Sequence, residues 1–297
     1  MADCASIGGT IPNEGLNSRA PHSAHVSAAL WFGAQGWLYK DWVGVFYPPG
    51  TTGVEMLAEY ARVFTTVEVD SSYYATPPAR TVTGWRNRTP EGFRFSLKTP
   101  SEITHVRRLR DADEPFAEFV DRVRLLGPKL AVVLVQCPPD FDPDDENRAA
   151  LFRFMSTQLP RDVSIALEMR DSRWYDEALF ALARRHGFAL AVTEGLHSNL
   201  GLAGAIVDEL IREPPAPFAY VRWLGDRQLT RFDRVVLDAS RSLDVWERFV
   251  RALKGGVRDI YGYANNHYQG HSPSTVRTML ARLGEPVPPE SSSPRLF

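Results

Sequence analysis

Two cysteines, no long apolar run and almost no net charge limit what this chain can be. Cys4 and Cys137 are its only thiols and lie far apart, so neither a disulfide framework nor a cysteine-ligated zinc site is encoded. That usage is the expectation for a reducing cytoplasm. No stretch stays apolar for the length a bilayer demands, and the opening residues "MADCASIGGTIPNEGLNSRA" lack a basic start followed by an apolar core. Neither membrane insertion nor export is expected. Lys and Arg number 34 against 36 Asp and Glu, a formal charge of -2, so any affinity for anions has to come from a local cluster. Glycine-rich phosphate loops and dinucleotide fingerprints are missing too, as are the H-x-H, H-E-x-x-H and paired C-x-x-C spacings of metal sites.

What is present is core-forming material. Of 297 residues, 44% are hydrophobic and 24% charged, which suits one large or two ordinary globular domains. Residues 1–28 and 285–297 are rich in small, polar and proline residues without periodicity, and read as flexible extensions of a domain spanning 29–284. Within it, eight short apolar or β-branched runs alternate with helical patterns. The strand candidates are "LWFGA", "TVEVD", "FRFSLK", "LAVVLVQ", "VSIALEMR", "FALAVTE", "FAYVRWL" and "DIYGYANN". Helices are expected over "GVEMLAEYARVF", "EPFAEFVDRVRLL", "DENRAALFRFMSTQ", "DEALFALARRHG" and "LDVWERFVRALKG", the last two closed by Gly187 and Gly255. Helix six, around "GLAGAIVDEL", is the least regular.

Eight such units in about 250 residues match an α/β fold of the (β/α)8 TIM-barrel type, with an open doubly wound sheet as the alternative. Individual strands favour the barrel. Val163, Ile165, Leu167 and Met169 share one face of their strand, against Ser164, Ala166, Glu168 and Arg170 on the other. Phe93, Phe95 and Leu97 likewise oppose Arg94, Ser96 and Lys98, and Val67 and Val69 oppose Thr66, Glu68 and Asp70. Faces that turn polar as the strand ends fit a closed barrel with a wet mouth better than a sheet covered on both sides.

Seven segments, "GAQGWLYKDWVGVFYPPG", "VEVDSSYYATP", "GFRFSLKTPSEITH", "VQCPPDF", "EMRDSRW", "YVRWLG" and "NNHYQGH", occur in an order and spacing that resemble the DUF72 (YecE-like) family. The similarity runs from about Trp31 to about Leu283. It implies a TIM barrel and supplies no reaction, since the family has no established biochemical function. The second segment usually carries Asn where this chain has Asp70.

If the barrel forms, chemistry belongs at the C-terminal ends of its strands. Gln35, Glu68, Lys98, Gln136, Glu168, Arg170, Arg222 and Asn265 stand there. So many inward polar groups must either pair with one another or meet a ligand. One reading is a self-satisfied plug, Glu68 pairing with Lys98 and Glu168 with Arg170 or Arg222. The other is a site for an anionic small molecule, with Lys98, Arg170, Arg222, His105 and the "RRLR" run (Arg107–Arg110) near it. Asn265, Asn266 and His267 precede a helix expected from Ser272 or Pro273, an arrangement that suits phosphate. Trp37, Tyr39, Trp42, Tyr73, Tyr74 and Trp174 follow strand ends and could stack on a sugar or base.

Three mechanisms are open. Glu68 and Glu168 could be acid and base of a hydrolase or lyase for a phosphorylated or sugar-containing substrate. Lys98 could form a Schiff base with a carbonyl substrate, as an aldolase does. A cationic, aromatic rim could bind or cut nucleic acid. No cofactor is clearly implied. Glu68, Asp70, Glu168, His105 and His267 could hold a divalent metal, although none stands in a recognised ligand spacing, so no residue is assigned to one. Cys137 reads as a buried structural thiol. No pattern speaks to oligomeric state.

Overall fold

The computed structural model describes residues 28–195, 204–225 and 228–290. Its strands are β1 (Ala29–Ala34), β2 (Thr66–Val69), β3 (Arg94–Lys98), β4 (Leu130–Gln136), β5 (Ser164–Glu168), β6 (Ala189–Leu190), β7 (Val192–Gly195), β8 (Phe218–Gly225) and β9 (Asp259–Ala264). All pair in parallel, as β2-β3-β4-β5-β6 and as β7-β8-β9-β1. Two joints turn these sheets into one ring. β6 and β7 are successive parts of one segment, the first bonded to β5 and the second to β8, with the Ala191 N–H between them donating to Leu167 O at 2.8 Å. At the other joint Gln35 bridges Glu68, and the Gly36 N–H reaches Glu68 O at 2.8 Å. This is the expected TIM-type arrangement, with strand order following chain order.

The helices are α1 (Met56–Tyr60), α2 (Ala79–Asn87), α3 (Asp113–Val123), α4 (Asp145–Thr157), α5 (Glu177–His186), α6 (Gly204–Arg212), α7 (Ser240–Leu253), α8 (Asn266–Gln269) and α9 (Ser272–Leu283). Local chemistry accounts for several ends. Asp144 and Asp176 cap α4 and α5 by accepting the N–H groups of Asn147 and Leu179. Gly187 closes α5 at φ 71°, where a residue without Cβ is favoured. Gly255 does not play that part for α7, whose end turns through Lys254 at φ -56°. α2 lies in a stretch where no helix was expected; Val82 and Trp85 are its buried anchors. The expectation for residues 1–28 falls outside the described residues except for Ala28, as does the first part of helix six. After α9, Arg277 holds Pro288 O by two hydrogen bonds of 3.0 and 3.1 Å, and residues 291–297 lie outside the described residues. No described helix is long and apolar enough to cross a membrane.

The strand faces separate as their alternation requires. Val67, Val69, Phe93, Phe95, Leu97, Ile165 and Leu167 join the layer between barrel and helices. A second, smaller cluster, including Val132, Leu134, Ala166, Tyr220 and Tyr263, fills the lumen. There the Tyr263 hydroxyl bonds both Thr66 Oγ1 and Ser96 Oγ at 2.8 Å.

The β1–β2 joint has few ladder bonds, and Tyr60 supplies others. Its hydroxyl accepts from the Ala34 N–H at 2.7 Å and donates to Thr66 O at 2.9 Å. Gly33 permits the approach, because a Cβ there would lie 2.1 Å from Thr66 O and 2.8 Å from that hydroxyl. Gly33→Ala should therefore cost about 3 kcal/mol through overpacking, and Tyr60→Phe about 1–3 kcal/mol through two orphaned backbone groups. Denaturant unfolding measures both. An unchanged midpoint in either variant contradicts this account of the joint.

Candidate functional site

Arg222 lies at the centre of the lumen, 2% exposed, with Glu68 and Glu168 both fully buried. Its Nε and Nη2 donate to Glu68 Oε2 and Oε1 at 2.9 and 2.7 Å, and its Nη1 donates to Glu168 Oε2 at 2.6 Å. The planar guanidinium thus grips one carboxylate with two bonds and the other with a third. Remaining lone pairs are also used: Tyr220 donates to Glu68 Oε2 at 2.7 Å, and Gln136 Nε2 to Glu168 Oε1 at 2.6 Å. Arg170 Nε stands 2.6 Å from the same Glu168 oxygen as an ion pair without hydrogen-bond alignment.

Strand register explains these choices. Gln136 lies directly beside Glu168. Glu68 lies beside Ser96 rather than Lys98, so Lys98 is one lumen layer nearer the mouth. The expected Glu68–Lys98 pair is accordingly absent; Lys98 Nζ faces Asp70 at 3.5 Å and the Tyr73 ring at 4.0 Å.

Above this floor opens a cavity of about 320 Å3. Lys98, Arg170, Arg222, His105, Gln136 and Asp70 line it, with Gln35, Asn265, Tyr73 and Tyr74 completing its polar and aromatic wall. Glu68 and Glu168 do not border it. Burial raises the Glu68 carboxyl above its usual range, opposed by Arg222 and Tyr220. Burial acts on Glu168 too, but Arg222, Arg170 and Gln136 outweigh it and hold that carboxyl at about 2. Lys98 is pushed below its ordinary value by burial and by Arg222, against the pull of Asp70. His105 is pushed down to about 4 by burial and by Lys98 and Arg170, so it meets the cavity as a neutral imidazole at neutral pH.

Two short loops aim these groups. A 3-10 turn over Asp70–Tyr73 ends β2, and Ser72 Oγ ties it to β3 by donating to Val69 O and Lys98 O at 2.8 and 2.7 Å. After β3 the chain makes a π-helical turn over Glu102–Val106, and then Arg108, Leu109 and Asp111 adopt φ of 50°, 63° and 47°. His105 Nδ1 bonds Thr104 Oγ1 at 2.8 Å, and its ring stands edge-on to Tyr73.

Other expected residues lie elsewhere. Of the six aromatics, Tyr73 and Tyr74 line this cavity, while Trp37, Tyr39 and Tyr74 line a neighbouring one. Trp42 and Trp174 are buried packing residues. Asn266 uses its Oδ1 to take the N–H and hydroxyl of Ser272 at the start of α9, both at 2.9 Å. His267 packs edge-on to Phe232 outside the cavity lining. Of Asn265, Asn266 and His267 after β9, only Asn265 reaches the cavity. In "RRLR", Arg107, Arg108 and Arg110 pair with Glu102, Asp140 and Glu146, and Leu109 is buried. Cys137 does line the cavity, but it is buried, which pushes its thiol up. Among the described residues, no three His, Cys, Asp or Glu side chains cluster as metal ligands would. Tyr220 was missed in the sequence, although it shares the inward face of β8 with Arg222 two residues on.

Glu168 makes the network measurable. Its carboxyl is depressed from 4.5 to about 2, so its contribution to stability is present above the ordinary value and is lost as pH falls through about 2. The unfolding free energies of wild type and Glu168→Gln, measured between pH 6 and pH 2, should differ most at the upper end. The gap should narrow by about 3 kcal/mol across the titration. A gap independent of pH would show that Glu168 is not held as an ion.

A family model described as a protein of unknown function, DUF72, matches residues 31–295. The UPF0759 protein YunF of Bacillus subtilis is 28% identical over 277 residues, covering 86% of this chain and 94% of that protein. The UPF0759 protein YecE of Escherichia coli is 32% identical over 146 residues, 49% of this chain and 50% of its own length. A crystal structure of a DUF72 family protein from Thermotoga maritima matches with a TM-score of 0.70 at 23% identity, over 86% of this chain and 100% of the other. One from Enterococcus faecalis matches at 0.67 and 20%, over 89% and 100%. These structural likenesses are of fold, and they agree with the barrel described above. The match of the family model along nearly the whole domain settles the affiliation: this chain belongs to the DUF72 family.

Proposed function

We propose that the barrel mouth binds a small anionic molecule bearing phosphate or carboxylate and acts on it as a hydrolase or lyase. The observation that carries this reading is one cavity lined by Lys98, Arg170 and Arg222, with Asp70 the only carboxylate lining it among the described residues. Arg170 makes no hydrogen bond among the described residues beyond its ion pair with Glu168, which leaves the outer part of its fork for a ligand. Fixed guanidinium and ammonium groups in a desolvated pocket stabilise negative charge as it develops, without reorganising.

Proton transfer falls to groups that border the cavity. Lys98, whose pKa is lowered by burial, and neutral His105 stand on the same cavity as the groups placed to exchange a proton with the ligand. Glu68 and Glu168, expected as the acid–base pair, do not border the cavity. Each acts on the ligand through Arg222, which both of them orient.

Thermal unfolding against sugar phosphates, nucleotides, small carboxylates and short oligonucleotides tests the reading. A ligand at a hundred times its Kd stabilises by about 2.7 kcal/mol, or roughly 5–10 °C for a chain of this size. A phosphorylated small molecule should stabilise the wild type and lose that effect in Arg170→Ala and Lys98→Met. Stabilisation by oligonucleotides alone, indifferent to Arg170 and lost with salt, would move the function to the rim.

A lowered lysine pKa also favours a second reading, imine formation. The Lys98 amine would add to a substrate carbonyl and expel water, leaving a C=N bond that borohydride reduces to a stable secondary amine. Trapping with small carbonyl phosphates should then add the substrate's mass less one oxygen to the wild type and not to Lys98→Arg. No adduct with any carbonyl tested leaves Lys98 as a base and an anion ligand.

A further inference from the structure

A second cavity of about 200 Å3 adjoins the first, and Gln35, Asp70 and Tyr74 line both. The farther lobe is formed by Trp37, Leu38 and Tyr39. Leu38 and Tyr74 are 60% and 80% exposed, apolar surface that nothing among the described residues covers.

The shared wall holds an oriented donor. The His267 N–H donates to Asn265 Oδ1 at 2.9 Å, so the nitrogen of that amide is the end turned to Gln35, whose Oε1 accepts from it at 2.9 Å. This relay fixes which end of Gln35 is which. Gln35 Nε2 is then left as a donor, buried on a side chain 2% exposed and without a hydrogen-bond partner among the described residues. Such a group is destabilising until something accepts from it. Asp70 offers the opposite polarity. Its side chain is 43% exposed and its ion-pair partner, Lys98, stands 3.5 Å away, so the carboxylate keeps acceptor capacity on the same wall.

A donor and an acceptor together suit hydroxyl groups, which both accept and donate. Aromatic surface beside them suits the C–H face of a sugar ring. We propose that the ligand is a phosphorylated sugar spanning both cavities. Its phosphate lies against Lys98, Arg170 and Arg222, its hydroxyls lie between Gln35 and Asp70, and its carbon skeleton enters the lobe of Trp37, Tyr39 and Tyr74. The proposal rests on the reading of the mouth as an anion site and adds to it the chemistry of the uncharged part.

Isothermal titration of the wild-type protein with inorganic phosphate, with ribose 5-phosphate and glucose 6-phosphate, and with their deoxy analogues separates the two layers. At least one sugar phosphate should bind tighter than inorganic phosphate by roughly tenfold or more, and a deoxy analogue should lose roughly fivefold or more, the scale of one hydrogen bond. Gln35→Leu should collapse the preference of sugar phosphate over inorganic phosphate. The deoxy series, read on the wild type, keeps the test independent of how well that variant folds. Sugar phosphates binding no tighter than inorganic phosphate, or deoxy analogues binding as well as their parents, would overturn the two-cavity proposal and leave the anion site standing. Failure of every anion to bind, inorganic phosphate included, would overturn both.

Discussion

The grip of Glu68 and Glu168 on Arg222 is the constraint around which the mouth is built. Three ionised groups in a barrel lumen each carry a desolvation cost of several kcal/mol, and their mutual attraction offsets it only when geometry and hydrogen bonding are nearly complete. Here they are: the guanidinium makes three bonds to two carboxylates, and Tyr220 and Gln136 supply two more. Tyr263, Thr66 and Ser96 satisfy one another in the layer of Glu68 and below it. The lumen is therefore a sequence of closed polar sets on an apolar base, and it leaves open only what lies above Arg222.

That layering decides the sign of the cavity. Lys98, Arg170 and Arg222 balance Glu68, Glu168 and Asp70 in number, so the cluster has no net charge to draw an anion. Position creates the preference instead. Two of the carboxylates are fully buried and do not border the cavity, whereas all three cations do. At close range a ligand meets donors first, because interactions weaken with distance and the buried anions spend their lone pairs on Arg222. The self-satisfied lower network thus holds Arg222 and, through Glu168, Arg170 at the floor of the cavity.

The alternation within strands made much of this legible. Apolar-out and polar-in faces on β2, β3 and β5 pointed to a closed barrel, and the same alternation listed Glu68, Lys98, Glu168 and Arg222 as mouth or lumen residues. Partner choice was legible only for Glu168, which meets Arg170 and Arg222 as expected. It depends on register, which puts Ser96 and not Lys98 beside Glu68, and on reach across the lumen between β8 and β2, residues separated by |i−j| of 154. The loop after β9 misled for a different reason. Amides and a helix start fit phosphate by type, but Asn266 turns its oxygen onto Ser272 and so occupies that helix end itself. Gln35 carried no signal beyond its place after β1, since its unpaired nitrogen exists only once Asn265 has fixed its other end.

The backbone after β3 argues that the mouth, and not merely the barrel, has been shaped. Three non-glycine residues in the left-handed region, Arg108, Leu109 and Asp111, cost about 1–2 kcal/mol each relative to ordinary conformations, a large share of a typical stability of about 5–15 kcal/mol. The surroundings hold them there. Leu109 is fully buried, its N–H donates to Ile103 O at 3.0 Å, and Arg153 donates to its carbonyl at 3.2 Å. Part of what the path achieves is packing, since Leu109 joins the layer of side chains between barrel and helices. What the path does is follow a π-helical turn that directs His105 to the cavity wall, beside Tyr73 and near Lys98 and Arg170. Backbone outliers of this kind cluster at functional sites, and these three directly follow the turn that sets His105 on the cavity wall.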